Sequence, residues 1–389
     1  MTMRSKRRTQ LHSYGMVIIM TIASFILMAV PSCRQRSETK DRQDGDTLKM
    51  KYSSLLHIVK YEQYTHVTID NPWKANATLH QYVLVDREQP IPPHLPQGTV
   101  IRIPLQKSVV FTSAHCKLME WLGAQDQLSG VADLKYMLID YVQQGVKEGK
   151  IADCGDGMNP IIEKIIQIHA DALLISPFEN SGGYGRVEDI NIPIIECADY
   201  MENSALARAE WMRFYGLLLG KSHEADSLFS IVDSSYQKLK SIAQNTPHKT
   251  SIINEKLTGN TWYVPGGKST VGQLISDANG TYAWINDNHG GSLPMTFETV
   301  LDKSGDADLW IFNYFGSGQL TYERLASEFK GYREMKAFKN HKVWYVDTQK
   351  VPYFEEVSFR PDYLLREYIT LLHPELGVGN TRYYTPVSP

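Results

Sequence analysis

Hydrophobic and polar positions change rhythm several times along the chain. Residues 64–70 and 81–86 carry β-branched and aromatic side chains in short runs, split by the turn-prone "NPWKANAT", which predicts a hairpin-like pair of strands. From about residue 99 strands alternate with helices. "TVIRIPL" and "SVVFTS" read as strands, "AHCKLMEWLGAQ" as a helix stopped at Gly123, "LSGVAD" as a short strand, "PIIEKIIQIHA" as a helix running into the strand "DALLIS", and "PIIECAD" as one more strand. Such alternation predicts an α/β lobe built on a mainly parallel sheet.

Residues 203–244 are almost free of strand signal. Within them Ala225, Leu228, Phe229, Val232, Tyr236, Leu239 and Ile242 recur at helical spacing, which predicts a helix over 222–244. About twenty residues at 1.5 Å each make a rod of roughly 30 Å, long enough to brace two lobes. A second strand–helix series follows: "TSIIN", the glycine turn "VPGGKSTVGQLIS" opening a helix, "MTFETVLDK" as a helix start, "ADLWIF" and "KVWYVD" as strands, and "FRPDYLLREYITLLHPEL" as a closing helix. The expected fold is therefore α/β, with two Rossmann-like α/β lobes joined by a single long α-helix and a ligand cleft between the lobes. "PGGKSTVGQ" lacks phosphate-loop spacing, because Gly266 and Gly267 are adjacent before Lys268, so a tight turn at a helix N-terminus is expected there.

At 389 residues and 42% hydrophobic content the chain can bury a sizeable core. The net charge is −3 and only "RSKRR" masses basic residues, so composition gives no nucleic-acid footprint. That basic stretch precedes an apolar run over 16–30, the length of a signal-peptide core and short for a membrane span. The run ends in "AVPSC" and turns polar, which resembles a lipoprotein lipobox with Cys33 as the acylated residue. Cys116, Cys154 and Cys197 remain, without C-x-x-C spacing; an oxidised pair and three separate buried thiols both stay open. The expected organisation is a signal peptide over 1–33, a polar tether over 34–48, an N-terminal lobe over 49–201, a helical segment over 202–245, a C-terminal lobe over 246–376 and a tail over 377–389.

Two segments mirror each other. "GMNPIIEKIIQIHADALLIS" places Glu163 on the front of an amphipathic segment that runs into a strand, and "MTFETVLDKSGDADLWIF" repeats the arrangement with Glu298. With the linking helix and "LLREYITLLHPEL", they resemble the periplasmic substrate-binding proteins of ABC importers for ferric siderophores, haem and cobalamin. The similarity covers roughly residues 99–376. Ala170 and Gly305 depart from the proline neighbourhood usual in that family; neither change touches the glutamates. The resemblance implies a non-catalytic, monomeric lipoprotein in the periplasm, anchored to the membrane through lipid, that captures a metal chelate and delivers it to an ABC permease in the inner membrane. It further implies that Glu163 and Glu298 dock onto permease arginines, a geometry suited to bidentate guanidinium–carboxylate pairing. No intrinsic cofactor is expected, the ligand being a ferric siderophore, haem or cobalamin.

The cleft should lie at loops following the carboxyl ends of strands. Those loops hold Thr112, Ser113 and His115 after "VVF", Asp153 and Met158 before the Glu163 helix, Phe178 and Tyr184 after "LLIS", Trp262 and Tyr263 after "INEKLTGN", Tyr314 and Phe315 after "LWIFN", and Tyr353 and Phe354 after "VDTQKVP". Arg360, before Pro361, is a candidate for an anionic ligand group. An aromatic lining suits a large flat or amphipathic ligand better than a simple ion. Two other classes compete. A zinc or manganese binder would need converging His and carboxylates, whereas the 12 histidines are scattered, so no metal site is assigned. An enzyme would need a catalytic motif; G-x-S-x-G and H-E-x-x-H are absent, and His115 and Cys116 are helix neighbours that point apart, so no catalytic residue is assigned.

Overall fold

A computed structural model describes residues 45–179, 183–316 and 318–389. The apolar leader and Cys33 lie outside the described residues. Strands β1 (Asp46–Leu48), β2 (Leu56–Lys60), β3 (Thr65–Asp70), β4 (Thr78–Asp86) and β5 (Thr99–Ile103) form one sheet in that order, antiparallel except for the β4–β5 pair. Alternation drives it: Leu56, Ile58, Val67 and Ile69 turn inward while His57 faces solvent. Asp46–Leu48, expected in a polar tether, is thus a strand of this sheet.

Two buried carboxylates tie the sheet to the rest of the chain. Glu210 accepts the backbone N–H groups of Lys51, Tyr52 and Ser53 at 2.8, 2.8 and 2.9 Å, and Glu202 accepts those of Ser54 and Leu55 at 3.1 Å. The Tyr82 hydroxyl donates to the Ile194 carbonyl and accepts the Glu196 N–H, which closes the edge of the neighbouring sheet.

That neighbouring sheet is all parallel. Strands β6 (Ser108–Val110), β7 (Leu128–Val131), β8 (Ala152–Asp153), β11 (Ala172–Ile175) and β12 (Ile194–Glu196) lie in the order β12-β11-β6-β7-β8. Helices α1 (Ser113–Trp121) and α2 (Asp140–Lys147) make the crossovers on one side of β6. A short hairpin of β9 (Gly155–Asp156) and β10 (Asn159–Pro160) then leads to α3 (Ile162–Ile168) and on to β11. The chain therefore runs outward from β6 in one direction and returns to its other flank, a switch point that opens a crevice at the carboxyl end of β6.

Helices α4 (Ala205–Glu210), α5 (Met212–Leu219) and α6 (Ser222–Gln244) follow. The last has the bounds that the periodicity predicts. Its buried residues Ala225, Phe229, Val232, Tyr236, Leu239 and Ala243 fall at alternating steps of four and three, giving a narrow apolar seam. The helix packs along α5 in one lobe and along α12 (Pro361–Leu372) in the other.

The second lobe is a sheet of β13 (Ile252–Asn254), β17 (Leu309–Tyr314), β18 (Val343–Asp347) and β19 (Tyr384–Pro386), parallel but for β19. An antiparallel sheet of β14 (Leu257–Thr258), β15 (Thr261–Pro265) and β16 (Ser292–Met295) stands beside it, and α7 (Thr270–Asp277), α8 (Phe297–Ser304), α9 (Tyr322–Glu328), α10 (Lys336–Lys339) and α11 (Tyr353–Glu356) complete the lobe. Residues 377–389, expected as a tail, carry β19 and are fastened: Glu367 accepts the Tyr383 and Tyr384 N–H groups, and Glu356 takes Arg382 through two bonds of 2.8 and 2.9 Å. In each lobe the strand after the Glu-bearing helix pairs in parallel with the first strand of its own sheet, β11 with β6 and β17 with β13.

Candidate ligand-binding cleft

The carboxyl end of β6 delivers Thr112 and Ser113 to the space between the lobes. They line a cavity of about 390 Å³ whose opposite wall is Tyr353, Phe354 and Asn313. Thr112 also borders a second cavity of about 410 Å³ with Met158, Phe178 and Tyr184, and Phe354 borders a third of about 450 Å³ with Tyr136 and Phe315. Shared lining residues set the three side by side along one cleft. Tyr136 and Phe315 face each other across it, edge to face, with ring centroids 6.0 Å apart. The turn "PGGKST" supplies part of the wall: the Ser269 hydroxyl caps α7 by accepting the Gly272 N–H at 3.0 Å, and the next residue, Thr270, reaches the cavity.

Thr112, Ser113, Phe178, Tyr184, Phe315, Tyr353 and Phe354 thus lie on the cleft; the other aromatic and basic candidates do not. Trp262 is fully buried, donates its indole N–H to the Asn254 carbonyl at 2.8 Å and packs on Trp310 at 5.6 Å. Period-two alternation along β15 sends Trp262 into the lobe core and Tyr263 to solvent away from the cleft. Tyr314 is buried against Tyr345. Arg360 is spent within the protein, pairing with Asp362 through bonds of 2.9 and 2.8 Å and lying over the Tyr363 ring.

His115 is also out of reach, only 3% exposed. Its Nε2 meets Asp199 at 3.1 Å, its Nδ1 meets the Thr112 hydroxyl, and its ring packs edge-on against Tyr215 and Phe359. Burial alone would lower its pKa, but the interactions with Cys197 and Asp199 outweigh this and raise it to about 10.

Several polar residues that sequence reasoning missed reach the site, and two of them face each other across the first cavity. Arg208, on α4, lines the inter-lobe cavity and donates its Nε to Asp199 at 3.1 Å. A lone arginine in the apolar stretch "ALARAEW" was the available signal. Asn313 lines the opposite wall and leans on Glu255, its Nδ2 at a long 3.5 Å from Oε1. Glu255 follows β13 in the left-handed region, φ 66°, and burial raises its carboxyl pKa to about 7.

Glu163 and Glu298 occupy equivalent positions, each the second residue of its helix and each exposed. Glu163 lies 3.6 Å from the exposed Arg186. Among the described residues no three His, Cys, Asp or Glu side chains converge as metal ligands, and no helix is long and apolar enough to cross a membrane.

Residues 109–350 match the family described as periplasmic binding protein. The chain belongs to the periplasmic binding protein family. An uncharacterized lipoprotein of Methanocaldococcus jannaschii is 25% identical over 360 residues, spanning 86% of this chain and 84% of that relative. Among solved structures, a periplasmic heme binding protein from Pseudomonas aeruginosa superposes with a TM-score of 0.58 at 14% identity, over 73% of this chain and 99% of that one. A petrobactin-binding protein from Bacillus subtilis superposes with a TM-score of 0.53 at 18% identity, over 70% of this chain and 94% of that one. At these identities the structural likeness concerns the fold, which in both cases is two-lobed. This periplasmic binding protein carries the β1–β5 sheet outside the segment that the family match covers.

Proposed function

We propose that this periplasmic binding protein captures an iron complex, a ferric siderophore or haem, or cobalamin in the inter-lobe cleft and delivers it to an ABC permease that docks on Glu163 and Glu298. The observation that carries the reading is the composition of the cleft: aromatic side chains from both lobes, hydroxyl and amide groups, and a few charged groups, Arg208 in the first cavity, Asp133 and Arg186 in the second and Lys135 in the third. Such a lining matches a large amphipathic chelate. A bare divalent cation would be repelled by Arg208 and would lack ligands in that wall. Acylation of Cys33 would hold the protein at a membrane on the periplasmic side, in keeping with the lipoprotein relative.

The test is calorimetric titration of the purified protein with haemin, cyanocobalamin, several ferric siderophores and zinc. Tight one-to-one binding of a macrocycle or chelate is expected. Binding of zinc alone would overturn the cargo assignment, and binding of none would overturn the capture role.

A further inference from the structure

Among the described residues that line the first cavity, of about 390 Å³, Arg208 is the sole group with a full charge; every other side chain on that wall is apolar, aromatic, hydroxyl or amide, and the charged Asp133, Arg186 and Lys135 border the neighbouring cavities. The setting of Arg208 is rigid. Ser204 caps α4 by accepting the Ala207 N–H at 3.1 Å, and one turn later Arg208 is held from behind by Asp199, itself only 1% exposed. Asp199 is also the acceptor for His115 Nε2 at 3.1 Å and the Tyr215 hydroxyl at 2.9 Å. Among the described residues Arg208 donates hydrogen bonds through Nε alone, so the outer edge of its guanidinium stays open to the cavity.

The charge count around this cluster is uneven. Both ring nitrogens of His115 face oxygens able to accept, Asp199 on one side and Thr112 on the other, which suits an imidazolium. One carboxylate is then shared between two cations. The acids of α11 lie outside these contacts: Glu355 accepts the Leu138 N–H, Glu356 pairs with Arg382, and neither bonds to His115 or Arg208. A single positive charge remains, and Arg208 presents it to the cavity.

We infer that Arg208 recognises anionic oxygens of the cargo, such as a carboxylate or an ionised catecholate, and that Asp199 and His115 act as positioning residues which fix its guanidinium and leave its charge uncompensated. The inference rests on the capture of a chelate proposed above and specifies its chemistry: the ligand is bipolar, its anionic group toward the first lobe and its apolar body toward Tyr353 and Phe354. Two-point recognition of this kind sets orientation as well as affinity.

The experiment compares matched ligands that differ in charge: haemin against its dimethyl ester, and a ferric tris-catecholate against a neutral ferric trihydroxamate. Dissociation constants are measured for the full-length wild type, Arg208→Gln, Arg208→Lys and His115→Gln. Wild type should prefer the anionic member of a pair by roughly ten-fold or more, the scale of one charge-assisted hydrogen bond. Arg208→Gln should erase that preference by lowering the anionic member's affinity, and Arg208→Lys should retain part of it. His115→Gln, which can still donate to Asp199 but carries no charge, should reduce the preference without abolishing binding. Equal affinity of wild type for both members, or a preference that survives Arg208→Gln, overturns the inference and leaves the capture role standing. Failure of every chelate to bind wild type removes both.

Discussion

The carboxylate of Glu355, in one lobe, accepts the backbone N–H of Leu138, in the other, at 3.0 Å. Glu355 is only 2% exposed, and burial raises its carboxyl pKa above the ordinary value. With the His115–Phe359 ring contact at 5.4 Å, this bond joins the lobes at the floor of the cleft. Leu138 is exposed, so Glu355→Ala would return its N–H to water and should cost about the net worth of one hydrogen bond, roughly 0.5–1.5 kcal/mol. Glu355→Gln keeps an acceptor of the same shape and should cost less. Urea unfolding of the two variants measures the difference; identical midpoints for wild type and the alanine variant would mean that the bond contributes nothing.

Glu210 makes a comparable prediction at the other end of the molecule. Three consecutive N–H groups converge on one fully buried carboxylate, with Arg213 3.6 Å away as its counter-charge. Removing one partner of a buried ionic cluster strands the rest, typically at about 3–5 kcal/mol. Glu210→Ala should therefore lower the melting temperature and expose Lys51 to trypsin ahead of global unfolding. Resistance of the 49–55 segment to trypsin in the variant would show that the β1–β5 sheet is held by its apolar face instead.

Much of the architecture was legible because it rests on periodicity. The bounds of α6, the two Glu-bearing helices and the strands that follow them are all written in the spacing of apolar residues. Other parts were not. β1 and β2 are short and polar-flanked, and they become strands through pairing, β2 with β3 and β1 with β2, an effect that no single window of sequence carries. Residues 377–389 read as a tail because Glu356 and Glu367, which fasten them, are distant in sequence. In the cleft, loops at strand ends were the right place to look, yet residue type misled. Trp262 and Phe178 read alike, but strand alternation buries the first, while the second, on the loop after β11, stays 47% exposed.

That contrast is measurable. Trp262→Ala removes a fully buried indole packed on Trp310, Phe297 and Tyr332, and a deletion of this size costs about 3–5 kcal/mol. Phe178→Ala, at the rim of the second cavity, should change stability by no more than about 0.5 kcal/mol. If the capture role holds, the phenylalanine variant alone should lose ligand affinity at unchanged stability. Equal destabilisation by both would place Phe178 in the core.

The His115 cluster predicts how stability depends on pH. The folded-state pKa of about 10 stands above the ordinary value of 6.5. Folding therefore favours the protonated form, so the contribution is complete below about pH 6.5 and is lost progressively as pH rises toward 10. The groups facing the ring are Cys197, Asp199, Tyr215 and the Thr112 hydroxyl, with Arg208 beyond Asp199. Unfolding free energies measured between pH 6 and 9 should fall in wild type and fall less steeply in His115→Gln. Parallel curves for the two proteins would assign the decline to other groups.

The last prediction concerns Glu163 and Glu298. Each sits in the first turn of a helix where the macrodipole favours a carboxylate, and each is exposed, so neither is needed to hold its lobe together. The Arg186 side chain near Glu163 is itself 74% exposed, and a solvated pair of this kind is weak and readily exchanged for another guanidinium. Replacing both glutamates by alanine should leave the melting temperature and ligand affinity at wild-type values while removing stimulation of uptake by the reconstituted permease. Each single variant should retain part of the stimulation, because one remaining pair still tethers the protein but no longer fixes its orientation. Raised ionic strength should weaken the wild-type stimulation in the same direction, since exposed charge pairs are screened by salt. Loss of ligand binding in the double variant would instead assign the two carboxylates to the pocket or the fold, and full stimulation by it would move the docking surface elsewhere.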